Sequence, residues 1–282
     1  KKLEESRFQL KRFLLDKDGY KIKRFSKINS KKYNFISNLE KIYDFKIIHE
    51  SGLDSNSYFF VPKKSINRLI VFHQGHRGSF ELSKNEIADF INKGYEVLAF
   101  QMPLKGTNSS IKNLKGVINR KHDNLIRFNS YDKSFISLFI TPVILGIDNV
   151  IRTRKNDFES ISMVGISGGG WTTVLAAAVD ERINFSFPIA GSLPLPLTTY
   201  EIGIENTHTT FYSKFPYLDL YLLGSTGQNR FQVQISYTKD PCCFSGNRST
   251  LYANYLSNLS KNFKGNFLIR IEDSNKHEIS LS

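Results

Sequence analysis

A serine lies inside a glycine-rich segment of this 282-residue chain, GISGG over residues 165–169. An apolar, strand-like run precedes the segment and a helix-like run follows it. A G-x-S-x-G pattern between a strand and a helix is typical of a nucleophilic serine held on a sharp turn. The glycines prevent collisions with neighbouring backbone, and the helix N-terminus supplies N–H groups. Ser167 is the candidate nucleophile. The structural alternative is a glycine-rich turn of a dinucleotide fold, but no G-x-G-x-x-G opens the first βαβ unit.

At these residues, and over about residues 45–282, the chain resembles the α/β-hydrolase superfamily. The resemblance implies an α/β-hydrolase fold and a serine hydrolase that needs no cofactor. The family orders its triad serine, acid, histidine. Asp240 follows the penultimate predicted strand and His277 follows the last one, so the resemblance implies that Asp240 orients His277. The rivals for the acid are Asp273, Glu272 and Glu205.

A second segment, HQGHRG over residues 73–78, directly follows the strand-like run RLIVF. It resembles the family's oxyanion loop, which implies that the backbone N–H groups of His76 and Gly168 stabilise the charged intermediate. Gln74 and Trp171 are assigned with them as oxyanion or substrate-binding residues. Because His73 and His76 lack a third ligand nearby, we expect no metal.

Elements alternate between strands and helices from residue 45 onward, which predicts a mainly parallel sheet with helices on both faces. Residues 103–133 are polar, and this composition predicts a long loop at the surface. The apolar run over residues 135–147 is too short to span a bilayer and predicts a core helix.

Residues 191–230 predict an irregular segment that covers the substrate. Its aromatic side chains, together with one from the elbow helix, offer flat faces for sugars or acyl-aromatic groups, or else pack into the core. These aromatic residues are Trp171, Tyr200, Phe211, Tyr212 and Tyr217.

Residues 1–44 predict a basic helical N-terminal arm, distinct from the catalytic domain over 45–282. The first fifty residues hold 14 Lys or Arg and 7 Asp or Glu, and so supply +7 of the net charge of +13. The arm either covers the main domain or contacts an anionic surface. No nucleic-acid-binding motif accompanies the charge, so no nucleic-acid partner is expected.

Composition excludes global disorder, since 40% of the residues are hydrophobic and 13% are aromatic. The only two cysteines, Cys242 and Cys243, are adjacent, and we expect them to be buried packing residues. The chain begins with Lys, which leaves an upstream signal or anchor open, and the cytoplasm is the favoured compartment.

The resemblance favours a carboxylic ester hydrolase that acts through an acyl-enzyme. The HQGH loop and the GISGGGW elbow are similar to carbohydrate-esterase-like members, which implies an O-acetyl ester of a saccharide as substrate. Two alternatives remain: a peptidase of the prolyl-oligopeptidase type, and a non-catalytic, hydrolase-like binding protein.

Overall fold

The chain forms two compact units in a computed structural model. The N-terminal unit comprises residues 13–162, and the C-terminal unit comprises residues 163–282 together with residues 1–12. The structure describes residues 2–109, 122–129, 134–154, 156–198 and 203–279.

Helix α1 (Lys2–Leu14) opens the chain. The N-terminal unit then contains β1 (Tyr20–Ile28), β2 (Leu39–His49), β3 (Asp54–Pro62), β4 (Arg68–His73), α2 (Lys84–Asn92), β5 (Glu96–Phe100) and α3 (Ser137–Arg154). Its strands lie in the order β1-β2-β3-β5-β4. The pairs β1–β2, β2–β3 and β3–β5 are antiparallel, whereas β4 and β5 are parallel.

Strands β4 and β5 are apolar and almost wholly buried, as expected of parallel strands covered on both faces. Helix α2 ends before Gly94, whose φ of +91° favours glycine. A Cβ atom there would lie 2.9 Å from the carbonyl oxygen of Lys64. The strand-like run RLIVF is confirmed as part of β4.

The predicted helical arm over residues 1–44 is wrong beyond α1. Residues 20–28 and 39–49 form the antiparallel pair β1 and β2, and β2 crosses the predicted boundary at residue 45. Ile36, Leu39 and Tyr43 are three and four residues apart, which is a helical spacing, but Leu39 and Tyr43 lie on strand β2. In the folded chain Phe45, Ile47 and His49 alternate toward the core, which is the period of a strand. Contact with an anionic surface stays a prediction.

Strand β6 (Ser160–Ile166) begins in the N-terminal unit and ends in the C-terminal unit. The C-terminal unit continues with α4 (Gly168–Val179), β7 (Ile183–Ile189), α5 (Thr209–Lys214), α6 (Tyr217–Ser225), β8 (Arg230–Tyr237), α7 (Thr250–Asn262) and β9 (Gly265–Glu272). Its strands lie in the order β6-β7-β8-β9, and β7, β8 and β9 run parallel. The mixed α/β architecture predicted from the sequence is confirmed.

Two buried arginines hold helix ends in the C-terminal unit. Arg7 of α1 donates to the carbonyl oxygens of Ala178 at 2.7 Å and Leu223 at 3.0 Å. Arg230 of β8 also donates to Leu223, at 3.0 Å. Its other acceptors are the carbonyl oxygens of Ala177, Ile183, Thr226 and Asp180. The two guanidinium groups thus satisfy carbonyls that helices α4 and α6 leave without intrahelical partners.

Two predicted irregular segments are more ordered than expected. Residues 191–230 include helices α5 and α6, and α6 is buried along most of its length. The described parts of 103–133 contain short 3₁₀ helices in which Asn108, His122 and Leu125 are buried, whereas Asp123 and Arg127 are exposed. Residues 110–121, 130–133 and Tyr200 lie outside the described residues.

Helix α3 contains residues 137–147 of the predicted apolar run, and most of these residues are buried. Across the described parts of the chain, no helix combines the length and apolarity needed to cross a bilayer.

Candidate active site

Ser167 lies on a strained turn between β6 and α4. Its backbone has φ 58° and ψ −126°, a left-handed conformation that few non-glycine residues adopt. The Ser167 N–H donates to the carbonyl oxygen of Ile189 at 2.9 Å, which ties the turn to the end of β7. The Ser167 carbonyl oxygen accepts from the N–H of Trp171 at 3.0 Å and begins the helix. The turn therefore holds the serine in a fixed position at the N-terminus of α4.

Glycines make this turn possible by allowing close backbone contacts. A Cβ atom on Gly165 would lie 2.1 Å from the carbonyl oxygen of Gly169, so no larger residue fits there. Gly170 and Gly191 approach each other so closely that a Cβ on Gly191 would lie 2.5 Å from the carbonyl carbon of Gly170. The need for Gly165 follows from the motif. Gly191 lies outside the motif, and sequence reasoning did not identify it.

Asp240 and His277, which follow strands β8 and β9, are brought into contact. The Nδ1 atom of His277 lies 2.9 Å from Oδ2 and 3.1 Å from Oδ1 of Asp240. The Asp240 side chain is fully buried and that of His277 is 9% exposed. Burial alone would raise the pKa of Asp240. The hydrogen bonds from His277 and from the N–H groups of Cys242 and Cys243 outweigh that effect and lower the pKa below its ordinary value. Asp240 is therefore held as a carboxylate.

Backbone and side-chain hydrogen bonds join the loops that carry these two residues. The N–H groups of Thr238 and Lys239 donate to the carbonyl oxygens of Glu272 and Ser274, at 3.0 and 3.1 Å. The hydroxyl of Tyr237 donates to the carbonyl oxygen of residue 278 at 2.5 Å, directly after the histidine. These hydrogen bonds thus hold together the two loops that carry Asp240 and His277. The role of Tyr237 had no signal in the sequence.

The rival carboxylates beside the histidine loop have other partners. Asp273 is exposed and accepts from the hydroxyl of Thr238 at 2.6 Å and from Nζ of Lys239 at 3.0 Å. Glu272 pairs with Arg270 at 2.9 Å. These contacts favour Asp240 as the partner of His277.

The adjacent cysteines Cys242 and Cys243 are joined by a disulfide bond. Cys242 is exposed and Cys243 is half-buried, so the expectation of buried packing is wrong. Both N–H groups donate to Oδ1 of Asp240, at 2.7 Å from Cys242 and 3.3 Å from Cys243. The turn after the acid exposes the cysteines because its backbone, rather than its side chains, faces the carboxylate.

The predicted oxyanion loop lies in the N-terminal unit, at the end of β4. The Gln74 side chain accepts from the N–H of Gly75 at 2.9 Å and donates to Oγ of Ser83 at 3.1 Å. The His73 ring is buried, and its Nδ1 lies 2.9 Å from the carbonyl oxygen of Gln74. Burial lowers the pKa of His73 to about 4. The Gln74 amide and the neutral His73 ring therefore hold the loop backbone by hydrogen bonds.

His76 is exposed, and its Nε2 lies 3.3 Å from Nε2 of the buried His122. The Nδ1 of His122 lies 3.0 Å from the carbonyl oxygen of Pro103. Because a carbonyl only accepts, His122 carries its proton on Nδ1, and its Nε2 accepts a hydrogen bond from the Nε2–H of His76. His122 is thus held by hydrogen bonds through both ring nitrogens. The oxyanion role of His76 stays a prediction.

Three residues of the N-terminal unit have ligand atoms close enough to consider as a metal site. One atom each from Asp16, His49 and Glu50 lies within 4.8 Å of the others. However, Nδ1 of His49 accepts from the N–H of Ser51 at 3.2 Å, and its Nε2 faces Oδ2 of Asp16 at 3.7 Å. The His49 ring is therefore neutral with its proton on Nε2, which is directed toward Asp16, and this contact accounts for the arrangement without a ligand.

Trp171 does not present its ring to solvent. Its side chain is buried in α4, and its indole N–H donates to the hydroxyl of Tyr212 at 2.8 Å. That hydroxyl also contacts the hydroxyl of Tyr217 at 3.2 Å, and Phe211 packs against Tyr212. These four aromatic residues therefore form core rather than an open substrate platform. A substrate role for Trp171 stays a prediction that this geometry does not favour.

Comparisons with known proteins address the fold. No protein-family model matches the sequence, and no curated protein sequence matches it. Among solved structures, an acetyl xylan esterase from Paenibacillus sp. R4 aligns with a TM-score of 0.62 and 15% identity, covering 99% of this chain and 88% of that one. Acetyl xylan esterase 1 from Thermoanaerobacterium sp. JW/SL YS485 aligns with a TM-score of 0.63 and 17% identity, covering 100% of this chain and 90% of that one.

A methylesterase, BT1017, aligns with a TM-score of 0.66 and 16% identity, covering 98% of this chain and 58% of that one. The order of elements, the turn at Ser167 and these alignments together define the class of fold. The chain has the α/β-hydrolase fold, as the resemblance implied.

Proposed function

We propose that the protein hydrolyses carboxylic esters with Ser167, His277 and Asp240 as its catalytic triad. The observation that carries the proposal is the contact of both Asp240 carboxylate oxygens with Nδ1 of His277, at 2.9 and 3.1 Å. Because a carboxylate only accepts, the imidazole holds its proton on Nδ1 and its lone pair on Nε2. This is the tautomer that a general base needs to take a proton from a serine hydroxyl.

In this proposal each residue has a separate task. The Oγ of Ser167 attacks the acyl carbon and forms an acyl-enzyme, while Nε2 of His277 takes the hydroxyl proton and returns it to the leaving alcohol. The buried Asp240 carboxylate holds the ring and stabilises its charged form. The N–H of Gly168, at the N-terminus of α4, donates to the developing oxyanion. His76 is the expected second donor.

The proposed substrate class is an O-acetyl ester of a saccharide. Two of the solved structures with this fold are acetyl xylan esterases, and the HQGH and GISGGGW segments resemble carbohydrate-esterase-like members. A methylesterase also shares the fold, so the competing substrate is a methyl ester. Acetylated xylo-oligosaccharides and a small methyl ester, compared at equal concentration, distinguish the two. Release of acetate but not methanol supports the proposal.

A fluorophosphonate probe tests the nucleophile directly. We expect one label per chain, located on Ser167 by peptide mapping, and Ser167→Ala to lower kcat on p-nitrophenyl acetate by at least about 10³-fold. Ser257→Ala, on helix α7, is the matched control and should keep wild-type activity. Labelling of another serine contradicts the assignment. Absence of both labelling and hydrolysis in folded protein favours a non-catalytic binding protein, and cleavage of peptide anilides alone favours a peptidase.

A further inference from the structure

The Cys242–Cys243 disulfide lies in a thinly packed turn after the proposed catalytic acid. Residues 241–247 are all exposed or half-buried, so few buried contacts hold this turn in place. Since the chain contains only two cysteines, any thiol–disulfide chemistry of the protein involves this pair. An exposed disulfide sulfur is accessible to an attacking thiolate.

The same two residues position Asp240 through their backbone. The N–H groups of Cys242 and Cys243 both donate to Oδ1 of Asp240, at 2.7 and 3.3 Å. A disulfide between adjacent residues closes a small ring that contains the peptide bond between them. That ring restricts the torsions that set the relative directions of the two N–H groups. The Cys242–Cys243 disulfide and the orientation of the Asp240 carboxylate are therefore coupled through residues 240–243.

We propose that Cys242–Cys243 is a thiol–disulfide modification site that controls how firmly Asp240 holds His277, an inference that rests on the proposed function. The reactant is a dithiol. Its two thiols supply two electrons and two protons, the Cys242–Cys243 bond breaks, two protein thiols form, and the reductant becomes a disulfide. Opening the ring frees the turn, so the reduced enzyme is less active than the oxidised one.

The effect on activity should be partial, because the carboxylate of Asp240 remains present after reduction. We expect kcat on p-nitrophenyl acetate to fall about ten-fold with KM unchanged within about two-fold, far less than the roughly 10⁴-fold loss when a triad acid loses its charge. Reoxidation should restore kcat. A general loss of structure would instead speed amide exchange throughout the chain, not only in this turn.

The experiment compares oxidised and dithiothreitol-reduced protein, with Cys242→Ser/Cys243→Ser as the matched control. Thiol titration should show two thiols gained per chain, and the double variant should have the reduced kcat whether or not dithiothreitol is added. Amide hydrogen exchange of peptides covering residues 238–246 should be faster in the reduced protein. Unchanged kcat in an active enzyme, or unchanged exchange, overturns the inference.

The exchange measurement separates this inference from the proposed function. If neither redox form hydrolyses ester or reacts with a fluorophosphonate, the proposed function fails. Faster exchange on reduction still supports control of the Asp240 turn by the disulfide in that case, and equal exchange overturns it.

Discussion

The buried histidine at the end of β4 should make the stability of the protein depend on pH. His73 is 1% exposed, its Nδ1 lies 2.9 Å from the carbonyl oxygen of Gln74, and its ring stacks on Phe100 with an interplanar angle of 17°. Burial disfavours the charged imidazolium, so the folded protein keeps this ring neutral well below the pH at which a free histidine is protonated. We expect His73→Asn, which retains a hydrogen-bond donor but does not titrate, to remove this dependence.

The size of the effect follows from the lowered pKa. The pKa of His73 falls from 6.5 to about 4 on folding, and one pKa unit corresponds to about 1.4 kcal/mol. The unfolded chain binds the proton more readily, so the stabilisation is fully present above pH 6.5 and is lost as the pH falls toward 4. The total loss is about 3 kcal/mol, of which roughly 2 kcal/mol occurs between about pH 7.5 and pH 5.

Urea unfolding of the wild type and of His73→Asn at these two pH values measures the effect. Every other titrating group cancels in the difference between the proteins, so the wild type should lose about 2 kcal/mol more than the variant. Val71→Ala, on the same buried strand, is the control. It should be destabilised but should keep the wild-type pH dependence. Equal pH dependence of the wild type and His73→Asn would refute the assignment of a buried, neutral His73.

Two further predictions concern the acid and a buried arginine. Asp240→Asn should lower kcat on p-nitrophenyl acetate by about 10³- to 10⁴-fold with little change in KM, whereas Asp273→Asn should retain most of the activity because its carboxylate binds Thr238 and Lys239 instead. The opposite ranking would mean that Asp273 is the acid. Arg230→Met should lower the free energy of unfolding by about 3–5 kcal/mol, since several buried carbonyls lose their donor. The exposed Arg270→Met should cost less than about 1 kcal/mol in the same urea titration.

The elements around the serine could be predicted because their signals are local. The strand–GISGG–helix sequence sets the turn and the start of α4 at Gly168 within a few residues. Strand β4 is a continuous apolar run and needs no information from distant residues. Short-range patterns of this kind identify an element whatever its neighbours are.

The elements that the sequence did not reveal depend on distant partners. Polar and apolar residues alternate only briefly at the start of β1, over residues 20–23, and pairing with β2 makes the whole segment a strand. Helix α6 is buried nearly all round and lacks the amphipathic period that marks a surface helix. The hydrogen bond from Arg7 to Ala178 joins residues 171 positions apart. No window of sequence contains such a contact.

The acid–histidine contact illustrates how a local motif and a distant pairing combine. Asp240 and His277 follow β8 and β9, and the parallel register sets Tyr237 opposite Glu272. Both loops therefore begin at the same edge of the sheet, and the hydrogen bond from Lys239 N–H to the carbonyl oxygen of Ser274 keeps them together. A slip of one residue would turn the side chains of β9 to the opposite face and move the histidine loop away. The sequence order shows which loops carry the acid and the histidine, but the distance between the two residues is a property of the strand register.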